Sequence, residues 1–169
     1  MAKKVLVAYG TKYGGTREIA EKIGEVLKEE NLEVEVLSGD RAGDPVQYDA
    51  FIIGSGVYAG MWRKEAVNFV RNNEKILADK PVWIFSSGPT REGDVKDLMS
   101  DWEYPGKIRP SVEKIKPRQI TVFHGVADPE KMSFFDKLIL KMVKAPSGDF
   151  RNWDTITDWA KNIGVELKK

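Results

Sequence analysis

The chain is predicted to fold as a doubly wound, three-layer α/β sandwich on a five-stranded parallel sheet. Five short apolar runs recur along its 169 residues, separated by segments whose apolar residues fall at helical spacing. The runs are continuously apolar rather than alternating, which is the pattern of strands covered on both faces. A chain of this length with 41% hydrophobic residues can bury a full core, so one domain over residues 1–169 is expected.

The elements follow in order. The first strand is Lys4 to Tyr9, around Val5-Leu6-Val7-Ala8, and the helix from Thr16 to Glu30 repeats Ile19, Ile23, Val26 and Leu27 on one face. Leu32 to Leu37 and Ala50 to Gly54 read as the second and third strands. A helix over Arg63 to Ala78 carries Ala66, Val67, Val70, Ile76 and Leu77, and Val82 to Ser86 is the fourth strand. Pro110 opens a shorter helix through Lys116, which Pro117 ends. Ile120 to His124 is the fifth strand, and Lys131 to Lys144 is a helix ahead of the break Ala145-Pro146-Ser147-Gly148. The closing helix runs from Asp154, a good N-cap, to Asn162, with Gly164 as its stop. Between the fourth and fifth strands, Gly88 to Arg109 is longer than a βα connection needs, and long loops at strand ends tend to carry function.

Composition excludes several chemistries. The chain has no Cys, which removes disulfides, thiolate nucleophiles and iron–sulfur ligation, and its one His removes a multi-His metal site. No metal is expected, and no Ser-His-Asp constellation is visible. The N-terminal apolar run is too short for a signal segment, and no stretch approaches the about 18 apolar residues of a membrane span, so a cytoplasmic protein is expected. Net charge is +1, but residues 1–106 hold 14 Lys+Arg against 18 Asp+Glu, and residues 107–169 hold 13 against 8. The basic C-terminal part invites an anionic partner, although scattered solvated lysines are the simpler account. No nucleic-acid partner is called for.

Three connections at the strand ends carry the chemistry. Thr11-Lys12-Tyr13-Gly14-Gly15-Thr16 joins the first strand to the first helix through glycines and hydroxyls. Glycines let amides turn inward, and the first helical turn has unpaired N–H groups with partial positive charge, so a phosphate monoester fits there. The loop has neither the Gly-Lys-Ser/Thr ending of a nucleoside-triphosphate loop nor the spacing of a dinucleotide fingerprint. Val57-Tyr58-Ala59-Gly60 follows the third strand, where small residues admit a flat ligand and Tyr58 or Trp62 can stack on it. Ser86-Ser87-Gly88-Pro89 ends the fourth strand with further amides and hydroxyls.

The first loop resembles the Thr-x-Tyr-Gly-x-Thr loop of flavodoxins. That resemblance implies a strand order of 2-1-3-4-5 and FMN as cofactor, its phosphate in the first loop and its ring between the second and third. Gly60 would then stand beside flavin N5. Within the flavodoxin fold, Val57 to Gly60, Phe123-His124-Gly125, the Phe134 to Met142 stretch and Thr157-Asp158-Trp159 look like the menaquinone-dependent protoporphyrinogen oxidase family. The implied activity is dehydrogenation of protoporphyrinogen IX with a quinone as acceptor. An electron carrier between redox proteins and an NAD(P)H-linked quinone reductase are the alternatives. Electron-carrying flavodoxins are typically strongly acidic, which a +1 chain is not.

Three further features are read from the residues. His124, alone at a strand end, is expected to be a hydrogen-bonded structural residue, and Asp94 and Asp97 have no assigned role. Trp102 and Tyr104 are expected to supply apolar area near the flavin edge. In the helix Lys131 to Lys144, Phe134, Phe135, Leu138, Ile139, Met142 and Val143 occupy one half and Lys137, Lys141 and Lys144 form a stripe opposite. An apolar half that wide is expected to pack on the sheet, and the alternative is a peripheral contact with an anionic membrane surface.

Overall fold

A computed structural model describes residues Met1–Lys169. Strands β1 (Lys4–Gly10), β2 (Glu33–Ser38), β3 (Ala50–Tyr58), β4 (Val82–Ser87) and β5 (Gln119–Phe123) pair in parallel in the order β2-β1-β3-β4-β5. The order is the expected 2-1-3-4-5. On one face lie α1 (Gly15–Glu29) and α7 (Trp153–Leu167), and on the other α2 (Lys64–Asn72), α3 (Glu74–Ala78) and α5 (Arg109–Ile115). Val5 and Val7 enter the first core while Leu6 and Ala8 enter the second, which is why β1 is apolar without alternation.

Several boundaries differ from the sequence reading. The helix expected over Arg63 to Ala78 breaks at Asn73, whose side-chain amide donates to the Phe69 carbonyl at 2.8 Å and ends α2. Val70 and Leu77 are both fully buried, so the apolar period runs across a break it does not reveal. The cap of α7 is Asn152, which accepts from the Thr155 N–H at 3.1 Å, and not Asp154. Gly164 is no stop: it lies inside α7, where a Cβ would sit 2.9 Å from Glu30 Cγ, and it is small because α1 ends against it. Strand β3 continues past Gly54 to Tyr58 and turns back through Ala59 and Gly60, both at positive φ, into the short antiparallel strand Met61–Trp62.

The long connection Gly88 to Arg109 is tied down. It contains α4 (Val95–Met99), and Asp94 caps that helix by accepting from the Lys96 N–H at 2.8 Å. Buried Trp62 donates its Nε1–H to Ser86 Oγ at 2.9 Å, and Ser86 donates onward to the Glu103 carbonyl at 2.8 Å. Trp102 and Tyr104 consequently pack against the α2/α3/α5 core.

The segment after β5 departs most from expectation. Val126–Ala127 pairs antiparallel with Gly148–Asp149, and this two-stranded ribbon carries α6 (Phe134–Met142) away from the sheet. No residue of α6 is buried, so its apolar half does not pack on the sheet. The side turned inward carries Leu140 and Asp136, and Asp136 meets Lys12 and Tyr13. No helix is long and apolar enough to cross a membrane.

Candidate functional site

The C-terminal ends of β1, β3 and β4 converge on one cavity of about 830 Å³. Its inner end is the β1–α1 connection. Gly14 adopts φ +92°, which turns the chain into α1, and Thr11 Oγ1 accepts from the Gly14 N–H at 3.0 Å to hold that turn. The amides of Tyr13, Gly15, Thr16 and Arg17 find no acceptor within the chain. They form a donor set at the positive end of α1, the arrangement that receives an anion. The Lys12 N–H, next in line, donates to Tyr58 OH at 3.0 Å. Thr16 is 3% exposed and lines the cavity.

The floor is Gly56, where a Cβ would lie 2.8 Å from Tyr58 Cε2 and 2.9 Å from Thr16 Oγ1. A side chain there would collide with both, so glycine is what lets the Tyr58 ring and the Thr16 hydroxyl close on this point of the cavity. Val57, Tyr58 and Ala59 form one wall, and Ser87 adds a hydroxyl from β4. Donors without acceptors stand at one end of the cavity, and the aromatic face of Tyr58 and the apolar side chain of Val57 border it beyond.

The outer wall was not legible in the sequence. Met132, Ile139, Leu140 and Val143 bring apolar surface from α6 and its approach, and Val126 adds more from the ribbon. Arg151 is a second surprise. Its side chain is 7% exposed, and its guanidinium pairs with Asp149 at 2.7 Å and donates to the Gly15 carbonyl at 3.2 Å. The hydrogen bond with Asp149 holds Arg151 above its ordinary range and Asp149 below its own, against desolvation in both. Asp136 receives Lys12 Nζ at 2.5 Å and the Tyr13 hydroxyl, and those two bonds hold its carboxyl below the usual aspartate range. Ser133-x-x-Asp136, with Ser133 Oγ accepting from the Asp136 N–H at 3.2 Å, announces the start of α6, but nothing local announces its partner 124 residues away.

The expected site residues divide. Lys12, Tyr13, Gly15, Thr16, Val57, Tyr58, Ala59 and Ser87 line the cavity. Thr11 and Gly14 shape the turn behind it. Gly60 stands at the exposed tip of the hairpin, clear of the cavity. Ser86 is fully buried and spends its hydroxyl on Trp62 and Glu103, Gly88 donates to the Phe123 carbonyl, and the Pro89 carbonyl accepts from Gly125. Trp62 is 5% exposed and stacks on nothing in the cavity. Trp102 lies in a separate cleft with Asp94 and His124, so the long connection contributes no apolar edge to the cavity. His124 does not make the expected structural hydrogen bond: its Nε2 is buried without a partner. No group of three or more His, Cys, Asp or Glu side chains could hold a metal ion.

Comparison with known proteins agrees with this architecture. Over 161 residues the chain is 25% identical to protoporphyrinogen IX dehydrogenase (quinone) of Escherichia coli strain K12, covering 92% of this chain and 88% of that one. A flavodoxin from the domain Archaea superposes with a TM-score of 0.62 at 16% identity, covering 98% of this chain and 99% of that one. Rubredoxin oxygen:oxidoreductase from Desulfovibrio gigas gives 0.63 at 14% identity, covering 98% of this chain and 36% of that one. These structural likenesses show a shared fold. The flavodoxin domain model matches residues 6–154, so the chain belongs to the flavodoxin domain family and its cofactor is FMN.

Proposed function

We propose that this protein is an FMN-dependent oxidoreductase that dehydrogenates a porphyrinogen and passes the electrons to a quinone. The observation that carries the reading is the similarity to the Escherichia coli dehydrogenase along nearly the whole of both chains. The cavity supports it. Its inner half is made by the three loops, and its outer half, from Val126 to Arg151, leaves apolar room beside the cofactor that a carrier exchanging single electrons with proteins does not need.

When bound, FMN supplies a two-electron acceptor that can be reoxidised by a quinone. The chain's own residues bind and orient. The Thr16 hydroxyl and the free amides of Tyr13, Gly15, Thr16 and Arg17 receive the phosphate. Tyr58 and Val57 border the ring, and Ser87 offers a hydroxyl to its polar edge. Val126, Met132 and Leu140 line the outer half with apolar surface, where a planar apolar substrate would rest. Lys131 on the cavity wall gives a cation for a substrate carboxylate, while Arg151, committed to Asp149 and the Gly15 carbonyl, braces the wall behind it. The overall change is balanced: one protoporphyrinogen loses six electrons and six protons to become protoporphyrin, and three quinones become three quinols.

The test is anaerobic incubation of the FMN-loaded protein with protoporphyrinogen IX and a menaquinone analogue, followed by porphyrin fluorescence. Quinone-dependent formation of protoporphyrin is expected. Absence of turnover, together with rapid electron exchange with a redox protein, would replace this reading with that of a carrier.

A further inference from the structure

The helix α6 is an amphipathic element whose apolar side faces solvent. Phe134 is 75% exposed, Phe135 74% and Met142 74%, and Leu138, Ile139 and Val143 are also exposed. Five large exposed apolar side chains on a nine-residue helix, with Val143 at its C-cap as a sixth, are far more than the single exposed residues that surfaces normally scatter. The orientation is imposed rather than accidental. Asp136 is fastened inward by Lys12 and Tyr13, and the ribbon Val126–Ala127/Gly148–Asp149 fixes both ends of the lobe.

The charges around this face are mostly of one sign, with Glu130 the exposed acid beside Lys131. Lys131, Lys137, Lys141 and Lys144 are exposed, and the only acid on the helix, Asp136, is the one turned inward. Beside the helix runs a groove of about 620 Å³ whose walls are Phe134, Leu138 and Pro129 and whose rim is Lys137, Lys141 and Lys144. An apolar floor under three ammonium groups matches an acyl chain below an anionic headgroup.

We infer that α6 seats the protein on an anionic lipid bilayer, lying flat in the interface with Phe134, Phe135, Leu138 and Met142 inserted and the lysines at the headgroups. A helix of about 13 Å lies along a leaflet and cannot cross it. The exposed face favours lipid over a protein partner, because its only hydrogen-bonding groups are lysine ammoniums, and a protein interface carries roughly one hydrogen bond per 100–200 Å². Ile139 and Val143 belong both to this face and to the wall of the cofactor cavity. Seated this way, the cavity opens directly onto the acyl region, the phase in which a lipophilic electron acceptor is dissolved. The seating rests on the exposed face and its lysines alone, without reference to the porphyrinogen.

The experiment is flotation of the FMN-loaded protein with phosphatidylcholine vesicles, with and without phosphatidylglycerol, at low and high salt. The protein should float with the anionic vesicles and be released by salt. Phe134→Ser/Leu138→Ser/Met142→Ser should weaken binding on the order of a hundredfold with FMN content unchanged, since none of these side chains is buried. Lys137→Gln/Lys141→Gln/Lys144→Gln should weaken binding to anionic vesicles by a similar, roughly hundredfold factor and leave the weak binding to neutral vesicles alone. A parent protein that stays in the buffer with anionic vesicles overturns the inference. So does a parent that sediments as a dimer which the apolar variant converts to monomer, because the face then belongs to a second copy. None of these readouts involves porphyrinogen, so failure here is separable from failure of the proposed activity.

Discussion

Replacing Thr16 by Val tests whether the unpaired donors of the β1–α1 connection hold the FMN phosphate. Thr16 occupies the second position of α1, is 3% exposed, and faces the cavity between Gly56 and Tyr58. Valine keeps the β-branched shape and nearly the volume, so the packing around Gly56 is retained and the hydroxyl alone is lost. A hydrogen bond to a charged acceptor contributes about 1.5 to 3 kcal/mol, so the FMN dissociation constant should rise roughly ten- to 150-fold. The assay is titration of the flavin-free protein with FMN, followed by quenching of flavin fluorescence, with riboflavin in parallel. Riboflavin has no phosphate, and its affinity should be the same in parent and variant. Equal weakening of both flavins would mean that Thr16 shapes the ring site instead. Unchanged FMN affinity would remove Thr16 from the site altogether.

Trp62→Phe removes the donor to Ser86 Oγ and leaves space under the tied-down connection, so urea unfolding should show a loss of about 1 to 3 kcal/mol, and a change below about 0.5 kcal/mol would refute the tie. Asp136→Asn unlatches α6 from the first loop. Because the Asp136 pKa is lowered in the folded protein, chiefly by Lys12 and then by Tyr13, its stabilisation is present at neutral pH and disappears as pH falls through and below the ordinary aspartate range. At pH 7 the α6 amides of the variant should exchange hydrogen faster than those of the parent, and at pH below that range the two should converge, while global stability changes by no more than about 1 kcal/mol for so exposed a pair. Equal exchange at both pH values would show that the ribbon alone holds the helix.

Much of this protein is decided by patterns a few residues long. Five continuously apolar runs separated by helical periods specify a sheet buried on both faces, and Val5, Leu6, Val7 and Ala8 divide between two cores because adjacent side chains of a strand point opposite ways. The donor turn between β1 and α1 was legible for the same reason: the turn, its hydroxyls and three of its four unpaired amides lie within Thr11 to Thr16. Periodicity was blind where a break conserved the period, as at Asn73, and a glycine's role was misread where its reason stood elsewhere in the fold, as Glu30 does for Gly164. The outer wall of the cavity was decided only by tertiary structure. Arg151 reaches Gly15, and Asp136 reaches Lys12 and Tyr13, across more than a hundred residues of chain. An amphipathic pattern states that a helix has an apolar side, but not which way that side faces. In α6 the ion pair of Asp136 and the ribbon at its base settle the direction, turning Phe134, Leu138 and Met142 away from the sheet, because a charged side chain with a fixed partner orients a short helix that has no core to pack against.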